Sequence, residues 1–124
     1  MKPYARLISI FALTTTAALA ALICWLTLTP QDLPKVQSLP TDKLAHILAF
    51  AALIAPVAVL RPRFLWWILP LAALLGFGIE LVQPWVGRHR EWADGGADLI
   101  GLLAGTIAGL LVRRFLKRHV LPDR

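Results

Sequence analysis

Residues 64–82 read FLWWILPLAALLGFGIELV, a run in which Glu80 is the only ionisable group. A helix needs about 20 mostly apolar residues to cross a bilayer, so this run predicts a membrane-spanning helix, closed by Pro84. Three more runs follow the same rule: Leu7–Thr29, ending at Pro30; Lys43–Leu60; and Gly95–Val112, glycine-rich and followed by Arg113 and Arg114. The second and fourth are of marginal length, which predicts little tilt or a locally thinned bilayer. The expectation is an all-α, four-helix transmembrane bundle. It forms a single domain over residues 1–124 with no soluble appendage.

Composition points the same way. The chain has 124 residues, of which 58% are hydrophobic and only 16% charged. A soluble domain carries roughly a quarter charged residues, so lipid rather than water is the expected solvent for much of this surface. The net charge of +6 does not imply a nucleic-acid partner, because the basic residues sit at the ends of the apolar runs. That placement predicts membrane orientation and contact with membrane lipids, including anionic headgroups. The single cysteine, Cys24, lies inside an apolar run, which excludes a disulfide framework or a cysteine metal site within one chain.

The first run has some features of a signal peptide: Lys2 and Arg6, an apolar stretch, and Ala18-Leu19-Ala20 as a cleavage-like site. Apolar residues nevertheless continue to Leu28, long enough to span, and leave no polar region after the cut. A lipoprotein reading of Cys24 is weaker, since Ile23 stands where a small residue is expected. A retained helix is the expectation. Nine of the 13 Lys and Arg residues flank three segments: Lys2 and Arg6; Arg61 and Arg63; and Arg113, Arg114, Lys117, Arg118 and Arg124. The other four are Lys35, Lys43, Arg88 and Arg90. The positive-inside rule then puts both termini in the cytoplasm. Trp66 and Trp67 fall near the inner face, and Trp25, Trp85 and Trp92 near the outer one, as interfacial belts do.

Against this background the polar residues inside the runs stand out. His46, Glu80 and Asp98 each lie about one turn inside the outer end of a span, and alternating chain direction brings them to similar depth. An ionisable group in a span costs several kcal/mol if it faces lipid, so these are expected to face inward and find partners. Asp42 and His46, Gly76 and Glu80, and Asp94 and Asp98 are each four apart and so share a helix face. Gln83 follows Glu80 by three. Gly101, Gly105 and Gly109 form a small-residue stripe that lets a neighbouring backbone approach closely. Pro56 and Pro70 are expected to kink their helices and open room between them.

Asp42-Lys43-Leu44-Ala45-His46 with Phe50, then Gly76, Ile79-Glu80-Leu81-Val82-Gln83, Arg90, Asp94, Asp98, Gly101, Gly105 and Gly109 together resemble the VanZ-like family of bacterial membrane proteins. The resemblance covers roughly residues 40–112. It implies a small multi-pass protein of the bacterial cytoplasmic membrane, in a family named for a protein associated with resistance to the cell-wall antibiotic teicoplanin. Relatives commonly carry Asn at the position of Asp98, which implies hydrogen bonding rather than obligatory proton transfer there.

Several functional readings stay open. In a structural one, Lys43 or Arg90 pairs with Glu80, Asp94 or Asp98, while His46 and Gln83 hydrogen-bond between helices. In a binding one, Arg88, His89 and Arg90 contact the phosphate of a lipid-linked cell-wall precursor or an anionic headgroup, with the acidic residues orienting a group beneath it. In a catalytic one, His46 with Glu80 or Asp94 supplies general acid and base groups. Nucleophile candidates there are poor: Ser38 and Thr41 lack any hydrolase signature. A carrier ranks last, because no inverted repeat is visible, although the glycine stripe could serve an oligomer. The preferred expectation is envelope-associated binding or an accessory role through Asp42, Lys43, His46, Glu80, Gln83, Arg90, Asp94 and Asp98. No cofactor and no metal site is expected.

Overall fold

A computed structural model describes residues 2–29, 40–87 and 92–119, apart from the side chains of 40–42. Lys35, Ser38, Arg88, His89, Arg90 and Arg124, and the side chains of Thr41 and Asp42, therefore lie outside the described residues. Among those described, all regular structure is helical: α1 (Pro3–Leu28), α2 (Pro40–Leu60), α3 (Leu65–Val82) and α4 (Trp92–His119). Each belongs to a stretch long and apolar enough to cross a membrane.

The ends of the helices follow from local chemistry. Pro3 opens α1 at the first helical position, where its missing N–H costs nothing. Arg61 and Pro62 interrupt the chain after α2, and a single 3₁₀ turn, Pro62–Phe64, leads into α3. After α3, Gln83–Val86 forms another 3₁₀ turn, ended by Gly87 in the left-handed region at φ 77°, which glycine adopts without strain. Pro56 and Pro70 lie within continuous helices.

The fourth helix departs from expectation. It begins at Trp92 rather than Gly95 and continues through the arginines to His119, giving 28 residues. At 1.5 Å per residue it is about 42 Å long, against about 30 Å of hydrocarbon, so it protrudes from a bilayer. Arg113 and Arg114 end the apolar run but not the hydrogen-bond ladder, because charged side chains are good helix formers once they reach water. Similarly, α1 starts at Pro3 and α2 at Pro40, each ahead of the apolar run it contains.

The second helix is the centre of the bundle. Phe50, Leu53, Ile54, Val57 and Ala58 are all fully buried. Its most extensive interface is with α4. Here the glycine stripe finds its reason. A Cβ on Gly101 would collide with the Ile47 carbonyl; on Gly105 it would lie 2.5 Å from the Ala51 carbonyl, and on Gly109 2.5 Å from the Ala58 Cβ. The stripe thus packs α4 directly on the α2 backbone within one chain. Van der Waals contact of this kind drives helix association in lipid, where apolar burial alone gives no advantage.

Polar contacts tie the other helices in. The Thr16 hydroxyl of α1 donates to the Leu53 carbonyl of α2 at 3.4 Å. At the opposite end of α2 from Pro40, Arg61 donates to the Ala5 carbonyl. Arg113 donates to the carbonyls of Val59 and Leu60 at 2.7 and 3.3 Å, satisfying acceptors that the end of α2 leaves open. The start of α1, the end of α2 and the later part of α4 therefore share one end of the bundle. The surface is the reverse of a soluble protein's: Leu7, Phe11, Leu48, Leu74, Leu103 and Leu111 are exposed, and Trp66 and Trp85 are 79% and 86% exposed.

Candidate functional site

At the end of the bundle remote from Arg61, α2 and α4 run parallel with a nearly constant register. Lys43 meets Asp94, His46 meets Asp98 and Val59 meets Arg113, at sequence separations of 51, 52 and 54. The glycine stripe sets this register, and within the two turns before it the same helix faces carry polar groups instead of glycines.

The Lys43 ammonium donates to Asp94 Oδ1 at 2.7 Å. His46 Nδ1 lies 2.7 Å from Asp98 Oδ1, and His46 Nε2 lies 3.6 Å from Asp94 Oδ2. The imidazole is thus held between two carboxylates, one hydrogen-bonded and the other a looser ionic neighbour. The Lys43 side chain retains 27% of its exposure, whereas those of Asp94 and Asp98 retain 8% and 3%. Lysine therefore forms the lip of the cluster and the acids its floor. Pairing of this kind is how ionisable groups are tolerated at membrane depth.

The third helix closes the site. Asp98 lies under Gly76, where an added Cβ would stand 2.9 Å from Asp98 Oδ2 and 3.3 Å from the Phe50 ring. Gly76 is the reason that a carboxyl fits into the corner of α2, α3 and α4. One turn further along, Glu80 is completely buried, and its Cγ lies 3.9 Å from where a Cβ on Gly95 would be. Gln83 is also buried, and its side-chain amide donates to the Thr27 carbonyl at 3.3 Å. Through that bond α1, which carries no motif of its own, helps to position the site. Asp98 Oδ2 and Gln83 Oε1 are buried acceptors with no hydrogen-bond partner among the described residues.

The structure brings together Lys43, His46, Asp94 and Asp98, with Glu80 and Gln83 alongside. Gly101, Gly105 and Gly109 line the adjoining α2–α4 interface. Arg90 and the Asp42 side chain lie outside the described residues. Of the pairings open to sequence reasoning, lysine takes Asp94 and histidine takes Asp98. No three His, Cys, Asp or Glu side chains among the described residues are arranged to hold a metal ion. The contribution of Thr27 could not be found from sequence, because it acts through its backbone carbonyl.

A second feature borders Glu80. The Phe77 and Trp92 rings stack across α3 and α4, with centroids 5.8 Å apart. Beside them is a groove of about 230 Å³ lined by Ala73, Phe77, Glu80, Trp92, Gly95, Gly96 and Leu99.

Four apolar helices around a buried polar end define a multi-pass membrane protein. No protein-family model, no curated protein and no solved structure matches the chain.

Proposed function

We propose that the chain is a VanZ-like protein of the bacterial cytoplasmic membrane, with both termini cytoplasmic and the Lys43–Asp98 cluster near the outer face. There it binds a lipid-linked or cell-surface molecule, or serves as accessory to proteins that handle one. One observation carries this reading: two bonded pairs, Lys43–Asp94 and His46–Asp98, are gathered at one end of the bundle beside buried Glu80 and Gln83. Ionisable groups in a span are expensive, and they mark functional paths more often than folding needs. The partly exposed Lys43 side chain puts a cation at the lip for a phosphate or carboxylate, with acceptors beneath it for a hydroxyl or amine. The motif resemblance supports an envelope setting.

A purely structural network is the second reading, favoured by the fact that these groups bond to one another. Acid–base chemistry on a lipid-linked precursor draws on the placement of His46 between two carboxylates.

Thermal unfolding in detergent of wild type and Glu80→Gln, each with and without a lipid-linked cell-wall precursor, separates binding from structure. Binding predicts that the precursor raises the wild-type Tm, since ligand at 100 times Kd stabilises by about 2.7 kcal/mol. Glu80→Gln then keeps or raises the unliganded Tm but loses that shift, as when a group is retained against stability. A large drop in the variant, with no shift from precursor in either protein, makes the network the whole explanation.

A further inference from the structure

The glycine face of α4 does not end with glycine. Gly101, Gly105 and Gly109 are followed at the same four-residue spacing by Arg113 and Lys117. Arg113 stands level with the end of α2, since it bonds to the Val59 and Leu60 carbonyls. There α2 stops, at Leu60, whereas α4 continues to His119, about 9 Å further along its axis. Arg113 therefore occupies a step between a helix that ends and one that goes on.

Its guanidinium is used on one side only. Nη1 makes both carbonyl bonds, at 2.7 and 3.3 Å, and these hold the half-buried group in place. Nε and Nη2 bond to nothing among the described residues. Neither is enclosed, in contrast to Arg61 Nε, which is buried and also lacks a hydrogen-bond partner among the described residues. Nε and Nη2 form the edge of a guanidinium that grips two oxygens of one anion through parallel hydrogen bonds. Here that edge is open, and the carbonyls already fix its orientation.

Charge and depth select the anion. Arg113, Arg114, Lys117 and Arg118 fall within six residues, and none forms an ion pair among the described residues. The carbonyls at the end of α2 supply only the partial negative charge of a helix C-terminus. Arg113 directly follows the apolar run 95–112, at the border where hydrocarbon gives way to headgroups. Leu110, Leu111 and Val112, just before it, are exposed on the apolar surface and offer acyl chains a wall. A soluble anion gains nothing from that wall, whereas a lipid does.

We propose that the step at the end of α2 binds the phosphate of an anionic membrane lipid, held side-on by Arg113 Nε and Nη2, with Lys117 one turn further along α4. The site lies at the opposite end of the bundle from the Lys43–Asp98 cluster, so it stands or falls independently of binding there.

The test uses the full chain in detergent with phosphatidylglycerol, phosphatidylcholine of the same chains, and inorganic phosphate. Native mass spectrometry counts retained lipid, and thermal unfolding reads stabilisation. Wild type is expected to retain phosphatidylglycerol roughly tenfold more than phosphatidylcholine, equivalent to about 1.4 kcal/mol. Inorganic phosphate at the same concentration is expected not to stabilise. Arg113→Lys keeps the charge and a donor for the α2 carbonyls but has no side-on edge, and is expected to lose most of the preference. Lys117→Gln removes a cation that caps no helix, and a fall of about threefold is expected, as for an exposed ion pair. Arg6→Gln removes one exposed cation elsewhere at the same end of the bundle and leaves the preference unchanged. Equal retention of the two lipids by wild type overturns the inference. So does a loss in Arg6→Gln as large as in the other two variants, which reduces the preference to diffuse charge. A preference that survives both Arg113→Lys and Lys117→Gln overturns it as well. Stabilisation by inorganic phosphate equal to that by phosphatidylglycerol removes the lipid as the source. Lys117→Gln keeps the test decisive if the Arg113 variant fails to fold.

Discussion

At the scale of single residues, Asp98 has the most demanding environment. One oxygen takes the bond with His46, while the other sits in the space left by Gly76. Asp98→Ala leaves the partly buried imidazole without this partner, a loss of about 1–3 kcal/mol. Asp98→Asn keeps an acceptor of the same shape and is expected to lose less, in line with the asparagine that the VanZ-like resemblance implies here. Chemical or thermal unfolding of the two variants checks the order; equal losses would mean that charge, not hydrogen bonding, holds the pair. Gly76→Ala tests the same corner from α3. Its methyl would stand 2.9 Å from Asp98 Oδ2, and the carboxyl can yield only by straining the His46 bond, so about 1–3 kcal/mol of overpacking is expected.

At the scale of helices, the α2–α4 pair organises the rest. Gly101 and Gly105 meet backbone atoms of α2, which cannot rotate away as a side chain can. Gly105→Ala is therefore expected to destabilise at least as much as Gly76→Ala, since its Cβ would lie 2.5 Å from the Ala51 carbonyl and 2.6 Å from the Ala51 Cα. Gly78→Ala, with open space around it, is expected to be neutral or to stabilise by up to about 1 kcal/mol through helix propensity. Melting temperatures of the two variants in one detergent decide the point. If Gly105→Ala melts no lower than Gly78→Ala, the stripe does not set the α2–α4 approach. The stripe was legible from its four-residue spacing, but its target was not. Sequence reasoning left open whether those glycines face another helix of the chain or a second copy.

At the scale of the molecule, charge is segregated along the bundle. Among the described residues, Glu80, Asp94 and Asp98 lie toward the Lys43 end. Lys2, Arg6, Arg61, Arg63, Arg113, Arg114, Lys117 and Arg118 belong to the other. In the proposed topology, the positive-inside rule assigns the arginine end to the cytoplasm. A reporter fused after Pro122 is expected to read as cytoplasmic, and one placed within residues 30–39 as external. An external signal after Pro122 would sink the topology. The long end of α4 adds Lys117 and Arg118 to the charge of the arginine end, where anionic headgroups would attract cations.

The amino-acid sequence by itself determined the solvent and the count of helices. Crossing hydrocarbon requires about 20 apolar residues that satisfy their own backbone bonds, a local property readable in runs such as 64–82. It also marked Lys43, His46, Glu80, Gln83, Asp94 and Asp98 as residues that needed partners, because a buried charge is costly wherever it occurs. Only the tertiary structure decided which partner each took. Lys43 and Asp94, or His46 and Asp98, meet across about fifty residues because close glycine packing sets the register of α4 on α2. The same holds for the Gln83–Thr27 bond and the groove beside Glu80. Each depends on the relative position of two helices, and no spacing within either helix encodes it.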